Sequence, residues 1–199
     1  MPTPSPILPW TAVPDMENFE MKENAETLKG LSSEKQELLV MEKEERYVFH
    51  GTAVDVDLLN PQQAIDTERG PDGDPAVFAS PSTDFAIFHA IVNGKNFPEG
   101  IVSSSGATSH DDGSYELKFA LPKNSLSLLS DTATGWVYVF DKKNFVQVEG
   151  RSAEYVSRVA VQPLQKIRVA KRDLPANIGV LAPRTDAHAN AAMNKGSNP

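Results

Sequence analysis

Tyr47-Val48-Phe49-His50-Gly51-Thr52 is the stretch of sequence from which the fold is best predicted. Its aromatic and β-branched residues favour a β-strand over Tyr47 to His50. A histidine directly before a glycine ends this apolar run, and a glycine lets a ligand approach the backbone where a Cβ would intrude. Taken alone, His50 is more often a hydrogen-bonded residue at a strand end than a catalytic one.

The chain after this stretch alternates short apolar runs with Gly, Pro, Asn and Asp, which is typical of strands and turns. The predicted strands are Tyr47 to His50, Ala76 to Ser80, Tyr115 to Leu121, Trp136 to Phe140, Glu154 to Val161 and Ile167 to Ala170. Asp84 to Asn93 is apolar almost all round, so we expect a buried helix capped by Ser82 or Thr83. Asn93 to Gly113 is rich in Gly, Ser and Asn and is predicted to be a mobile surface loop.

Toward the N-terminus the pattern predicts helices instead of strands. Residues 17–45 mix Glu and Lys with leucines, which indicates one or two amphipathic helices with a break near Gly30. Ser33 and Gln36 fit a capping box at the start of the second helix. Residues 1–16 and 183–199 are expected to be disordered tails, which leaves residues 46–182 as one α+β domain.

Composition and charge exclude several classes of function. The chain has 199 residues, no cysteine and a net charge of −8. The missing thiols remove disulfides, thiolate zinc sites and cysteine nucleophiles, and the acidic balance argues against long nucleic acids and anionic membranes. We assign no metal site. Neither a standard export signal nor a membrane-spanning run is found, so a cytoplasmic location is the default expectation.

Two glutamates are candidates for a catalytic carboxylate. Glu154 stands where the apolar strand Tyr155-Val156-Ser157 begins, whereas Glu149 lies between Val148 and Gly150 in a predicted turn. We prefer Glu154, although an exposed charge at a strand end is the simpler interpretation of it. His89, on the predicted buried helix, is interpreted as a hydrogen-bonded core or edge residue.

The order of three of these segments resembles the ADP-ribosyltransferase superfamily, in particular its diphtheria-toxin and poly(ADP-ribose) polymerase branch with a His-Tyr-Glu triad. The matching segments are His50-Gly51-Thr52, then Val77-Phe78-Ala79-Ser80 with Phe88 ten residues after Phe78, and then Glu154-Tyr155-Val156. The chain is also similar to small bacterial and fungal proteins of unassigned role. The resemblance implies a core of two packed, mostly antiparallel sheets with flanking helices.

The resemblance also implies NAD as a substrate and a mono-ADP-ribosyltransferase activity toward an unknown protein or small-molecule acceptor, or water. Gly51 would hold the nicotinamide carboxamide through its backbone, His50 would bond a ribose hydroxyl, and Phe88 would stack on the nicotinamide ring. Glu154 would bond the ribose 2′-hydroxyl and stabilise the charge that develops as nicotinamide leaves. Thr52, Val77, Phe78 and Ser80 would complete the NAD site.

Two positions depart from the family pattern. Val77 aligns with the triad tyrosine, and Ser152 stands where arginine-modifying members carry a second glutamate, so arginine is a less favoured acceptor. Arg46 and Ser80 give a weaker likeness to the Arg-Ser-Glu branch of the same superfamily. The alternative functions are a catalytically inactive nucleotide-binding or interaction module and a purely structural protein.

Overall fold

The computed structural model describes residues 30–66, 70–97 and 101–181. The chain divides into two compact units, Met1–Leu31 and Ser32–Pro199, and the architecture below is that of the second. Both predicted tails, 1–16 and 183–199, lie outside the described residues, as does the first part of the predicted helical segment 17–45. Among the described residues, no helix is long and apolar enough to cross a membrane.

The second unit is an α+β domain. In chain order its helices and strands are α1 (Ser33–Lys43), β1 (Tyr47–Thr52), β2 (Gln62–Asp66), β3 (Gly70–Ala79), α2 (Thr83–Ile91), β4 (Ser104–Ser109), β5 (Tyr115–Leu121), α3 (Ser125–Leu128), β6 (Thr134–Asp141), β7 (Val146–Gln147), β8 (Tyr155–Ser157), β9 (Gln165–Ala170) and β10 (Ile178–Val180). Single 3₁₀ turns follow β6 and β9.

The strands form three sheets where two were expected. Their strand orders are β1-β6-β9, β2-β3-β8-β7 and β10-β5-β4, and every pairing is antiparallel except that of β10 with β5. The first two sheets meet where the Phe49 N–H donates to the Ser80 carbonyl at 2.7 Å and the Ser80 N–H donates back at 2.9 Å. This bridge places the C-terminal half of β1 beside the end of β3.

The central sheet β1-β6-β9 buries both of its faces, because successive strand residues point to opposite sides. Phe49, Val137 and Val139 pack under α2, and Val48, Tyr138 and Phe140 face the second sheet. Glycines let α2 lie directly on the first face. A Cβ at Gly51 would lie 1.8 Å from the Ala86 oxygen, and one at Gly135 would lie 2.0 Å from the Ala90 oxygen.

All six predicted strand regions contain strand, although the bounds of all but β5 change. The predicted strand over Glu154 to Val161 is only Tyr155–Ser157, and Val161 makes an isolated bridge to Leu59. The predicted helix over Asp84 to Asn93 is Thr83–Ile91. Ser82 occupies its N-cap position but makes no side-chain capping bond. The Thr83 N–H instead donates to the Glu42 carboxylate of α1 at 2.9 Å.

Two local predictions were wrong. Ser32, rather than Ser33, caps α1, and its hydroxyl accepts the Lys35 N–H at 3.0 Å. The Ser32 hydroxyl also donates to Asp173, so a contact distant in sequence fixes the helix start one residue earlier. The predicted loop Asn93 to Gly113 contains β4, which pairs with β5 along its whole length because backbone pairing does not require apolar side chains.

Candidate functional site

A cleft of about 430 Å³ opens where the first two sheets meet, beside α2 and β4. It brings together five of the predicted site residues, which come from three distant parts of the chain: His50, Gly51, Phe78, Ser80 and Glu154. Its volume lies within the usual range of small-molecule sites, about 300–1,000 Å³. The remaining walls come from α2, from β4 and from the turn before β8.

Gly51 presents its backbone to this cleft. In an antiparallel strand the N–H and C=O groups of alternate residues point toward the same edge. The backbone N–H and C=O of Phe49 both bond Ser80, on the edge of β1 that points away from β6. The N–H and C=O of Gly51, two residues later, therefore point away from β6 as well. Gly51 lines the cleft, and among the described residues no backbone partner is recorded for it on this edge. One donor and one acceptor are therefore available there to a ligand.

The absence of a side chain at position 51 has a structural cause that the sequence interpretation missed. The glycine was predicted to give a ligand room, but the atoms that would meet its Cβ belong to the backbone of α2. The missing side chain admits the helix, and the N–H and C=O groups that face the cleft lie on the strand edge instead. Gly51 therefore has a packing requirement that is independent of any ligand.

His50 is held in one tautomer at the wall of the cleft. Its Nδ1 lies 2.7 Å from the Phe78 carbonyl oxygen, and because a carbonyl only accepts, Nδ1 carries the proton. Burial lowers the pKa of His50 below its ordinary value, and the bond to Phe78 opposes this effect. The ring is thus neutral near pH 7, and its Nε2 can accept a hydrogen bond from a ligand hydroxyl.

Glu154 is positioned by a tight turn directly before β8. The Val148 N–H donates to the Glu154 carbonyl at 2.9 Å, and Gly150 within the turn has a φ of 71°, which favours glycine. The Glu154 side chain is 29% exposed, and Arg151 Nη1 donates to its two carboxylate oxygens at 3.2 and 2.9 Å. The rival Glu149 lines a neighbouring polar depression and not this cleft.

Phe88 does not lie where the resemblance implies. Its side chain is 0% exposed and packs against Phe119 with ring centroids 4.8 Å apart, so a ligand cannot stack on it in this conformation. The phenylalanine that α2 presents to the cleft is Phe85. Phe85 and Phe88 are three positions apart, which is about 60° round a helix, and this rotation turns the Phe88 ring into the core and leaves Phe85 at its border.

Thr52 and Val77 also lie outside the main cleft. Both line an adjacent cavity of about 410 Å³, which shares His50 and Phe78 with the cleft. Val77 is only 3% exposed and packs in the core between the first two sheets, so it does not provide the flat wall that the family's tyrosine would. Among the predicted aromatic contacts, Phe78 alone reaches the cleft.

Sequence reasoning missed two features of the cleft. His89, interpreted as a core or edge histidine, lines it beside Phe85, and its Nε2 lies 3.0 Å from the Ser105 hydroxyl on β4. The cleft packing around the ring lowers the pKa of His89 to about 4, with a smaller contribution from His50, although the residue as a whole keeps solvent contact. The i, i+4 spacing of Phe85 and His89 is the signal that could have placed both on one helix face.

Arg151 is the other missed residue, and the i, i+3 spacing to Glu154 gave no indication of it because this segment is a turn rather than a helix. It brings a cation to the cleft wall. Within the described residues, no group of three or more His, Asp or Glu side chains could hold a metal ion.

Comparison of the chain with protein-family models, with curated proteins and with solved structures found no match.

Proposed function

We propose that this protein binds NAD in the cleft and cleaves its nicotinamide N-glycosidic bond, transferring ADP-ribose to an acceptor or to water. The observation that carries the proposal is the meeting in one cleft of His50, the backbone edge of Gly51 that points away from β6, and Glu154. These are the three elements that the resemblance to the ADP-ribosyltransferase superfamily names.

The polar groups of the cleft fit the nicotinamide riboside portion of NAD. A primary carboxamide offers a donor and an acceptor side by side, which complement the C=O and N–H of Gly51. The neutral His50 Nε2 can accept from a ribose hydroxyl, since Phe78 holds Nδ1 as the donor. Phe85 and Phe78 supply aromatic faces for the cationic nicotinamide ring, so the stacking role assigned to Phe88 passes to Phe85.

Glu154 is the residue for the chemical step. As the bond from ribose to nicotinamide breaks, positive charge develops on the ribose, and a carboxylate beside it stabilises the transition state more than the ground state. Arg151 gives the ligand's diphosphate a cation at the cleft wall. A diphosphate that attracts the Arg151 guanidinium would at the same time release the Glu154 carboxylate.

Two observations favour the alternative, a nucleotide-binding module without turnover. Both carboxylate oxygens of Glu154 are engaged by Arg151, and the position of the family's triad tyrosine is the buried Val77. Binding would survive both features because the Gly51 edge and His50 do not depend on them. The two functions are therefore separated by turnover and not by affinity.

The test is nicotinamide release from NAD by the wild type, by Glu154→Gln and by the matched control Glu149→Gln. Removing one electrostatic contact to a transition state lowers kcat by about 100-fold or more, so Glu154→Gln should lose release while keeping its NAD affinity. Glu149→Gln, which lies five residues away outside the cleft, should behave as the wild type. Equal release by wild type and Glu154→Gln would overturn the catalytic role.

Binding is tested separately by calorimetric titration with NAD. His50→Ala should weaken NAD binding because the substitution removes the Nε2 that would accept the bond from the ribose. His110→Ala is the control, since His110 lies in the exposed turn between β4 and β5, and it should bind NAD as the wild type does. Measurable binding without release from the wild type would favour the binding module. No binding by the wild type at millimolar NAD would reject both functions.

A further inference from the structure

The cleft contains a hydroxyl–imidazole pair that the proposed bond cleavage does not use. The Ser105 hydroxyl of β4 lies 3.0 Å from Nε2 of His89, within the reach of a nucleophile and its base. Among the described residues, no other hydrogen bond of either side chain is recorded. Both residues line the same cleft as His50 and Glu154.

The pairing of β4 with β5 fixes which β4 residues reach the cleft. Ser105 pairs with Phe119, whose ring packs against Phe88 of α2, so the strand face that carries Ser105 is turned toward α2. Ser104 and Thr108 lie on the opposite face of β4 and are exposed outside the cleft. Ser105 itself is partly exposed, so its oxygen is open to a ligand.

We propose that Ser105 is an ADP-ribose acceptor of the protein itself, with His89 as the base that takes its proton. This inference rests on the proposed function, because the ADP-ribosyl group must come from NAD cleaved in the cleft. Ser105 and Glu154 line one cleft, so the transfer needs no second molecule of the protein. The proposal names a modification site and a hydroxyl as the acceptor class.

The transfer balances without a further reactant. The bond between ribose C1″ and the pyridinium nitrogen breaks, and its electron pair leaves with nicotinamide as a neutral base. A lone pair of Ser105 Oγ forms the new C1″–O bond, and the hydroxyl proton passes to His89 Nε2. A neutral imidazole is required as the acceptor of that proton, and an oxygen that is bonding to an electron-poor carbon becomes a strong acid, so a weak base suffices.

The experiment is peptide mapping by mass spectrometry after the full-length wild type has been incubated with NAD, with nicotinamide release measured in the same sample. We expect ADP-ribose on Ser105, joined by a bond that survives neutral hydroxylamine. An ester to a carboxylate such as Glu154 would be cleaved by that treatment. His89→Gln should slow formation of the adduct by about 100-fold or more, which is the usual contribution of a general base.

The matched controls are Ser105→Ala and Ser104→Ala, which lie next to each other on one exposed strand. Ser105→Ala should form no adduct on β4, whereas Ser104→Ala should be modified as the wild type is. Mapping on the wild type does not depend on the folding of any variant.

The outcomes separate this inference from the proposed function. Nicotinamide release with no adduct on Ser105, or with the adduct on another residue, would overturn the inference and leave the function standing. No release from the wild type would reject the function, and the inference would fall with it. An adduct that forms equally fast in His89→Gln would remove His89 from the transfer.

Discussion

Replacing Gly51 with alanine is expected to destabilise the whole domain, because the new methyl group would overlap the backbone of α2. An ideal Cβ at this position lies 1.8 Å from the Ala86 oxygen, 2.7 Å from the Ala86 carbonyl carbon and 2.8 Å from the Ala90 nitrogen. All three are helix backbone atoms, so no side-chain rotation relieves the overlap. Overpacking usually costs about 1–3 kcal/mol where side chains can adjust, so we expect a loss of about 3 kcal/mol or more.

The assay is urea and thermal unfolding followed by circular dichroism. For a domain of this size a loss of about 3 kcal/mol lowers Tm by about 6–12 °C. Gly94→Ala is the matched control, since Gly94 is exposed, has an ordinary φ and has no atom within 4 Å of its ideal Cβ. If Gly51→Ala unfolded within about 0.5 kcal/mol of the wild type, as surface variants do, the close contact between α2 and β1 would be refuted.

Three further predictions concern α2 and its neighbours. Phe88→Ala should lose about 3–5 kcal/mol of unfolding free energy because Phe88 is fully buried, whereas Phe85→Ala should lose less stability and instead weaken NAD binding. Denaturant unfolding measures the first effect and calorimetric titration with NAD measures the second. If Phe85→Ala were the less stable variant and Phe88→Ala the weaker binder, the stacking role would return to Phe88. Burial raises the pKa of Glu42 above 4.5, so the folded state holds that proton to higher pH than the unfolded chain. The wild type should therefore lose stability relative to Glu42→Gln as the pH rises above 4.5. Urea unfolding curves of both proteins across that range test this, and a difference in unfolding free energy that stayed constant with pH would contradict it. Desolvation of the ring by the cleft walls lowers the pKa of His89 from 6.5 to about 4, although the residue as a whole is exposed, so the unfolded chain binds a proton there that the folded state lacks. The wild type should lose stability as the pH falls from 6.5 toward 4, and His89→Gln should lose less over the same range. The measurement is the urea midpoint of both proteins at several pH values. If the midpoint changed with pH equally in both, the imidazole of His89 would be solvated in the folded state.

The strands could be predicted from the sequence wherever burial selects β-branched and aromatic residues. β5 has the predicted bounds, Tyr115–Leu121, because its side chains alternate between core and surface. β4 could not be found in this way. Its residues, Ser104–Ser109, are small and mostly exposed, and only backbone bonds to β5 define it as a strand. A wall of the cleft was missed for this reason.

Contacts between distant residues set the helix details, and local patterns do not record them. The Ser32 hydroxyl bonds both Lys35 in α1 and Asp173 after β9, so the start of α1 depends on residues about 140 positions away. Glu42 of α1 bonds the first N–H of α2 in the place of a local cap. The capping box predicted at Ser33 used only the residues next to it.

The candidate site was predictable as far as the order of its motifs. His50 lies in the C-terminal half of β1 and Glu154 directly before β8, and the antiparallel bridge between β1 and β3 with the pairing of β3 and β8 brings these two positions together. The rotation of α2 was not predictable from a segment that is apolar almost all round. Phe88, to which the stacking role was assigned, therefore lies in the core, and Phe85 lines the cleft.

The rotation of α2 follows from the same glycine whose backbone edge faces the cleft. Ala86 and Ala90, four residues apart, form the helix stripe that meets Gly51, and the adjacent stripe, Phe85 and His89, is thereby turned to the cleft. A larger residue at Gly51 would lift the helix and move both side chains away from the strand edge. The packing of α2 and the geometry of the cleft are thus one requirement, and a loss of activity in Gly51→Ala would report on the helix as much as on the proposed carboxamide contact.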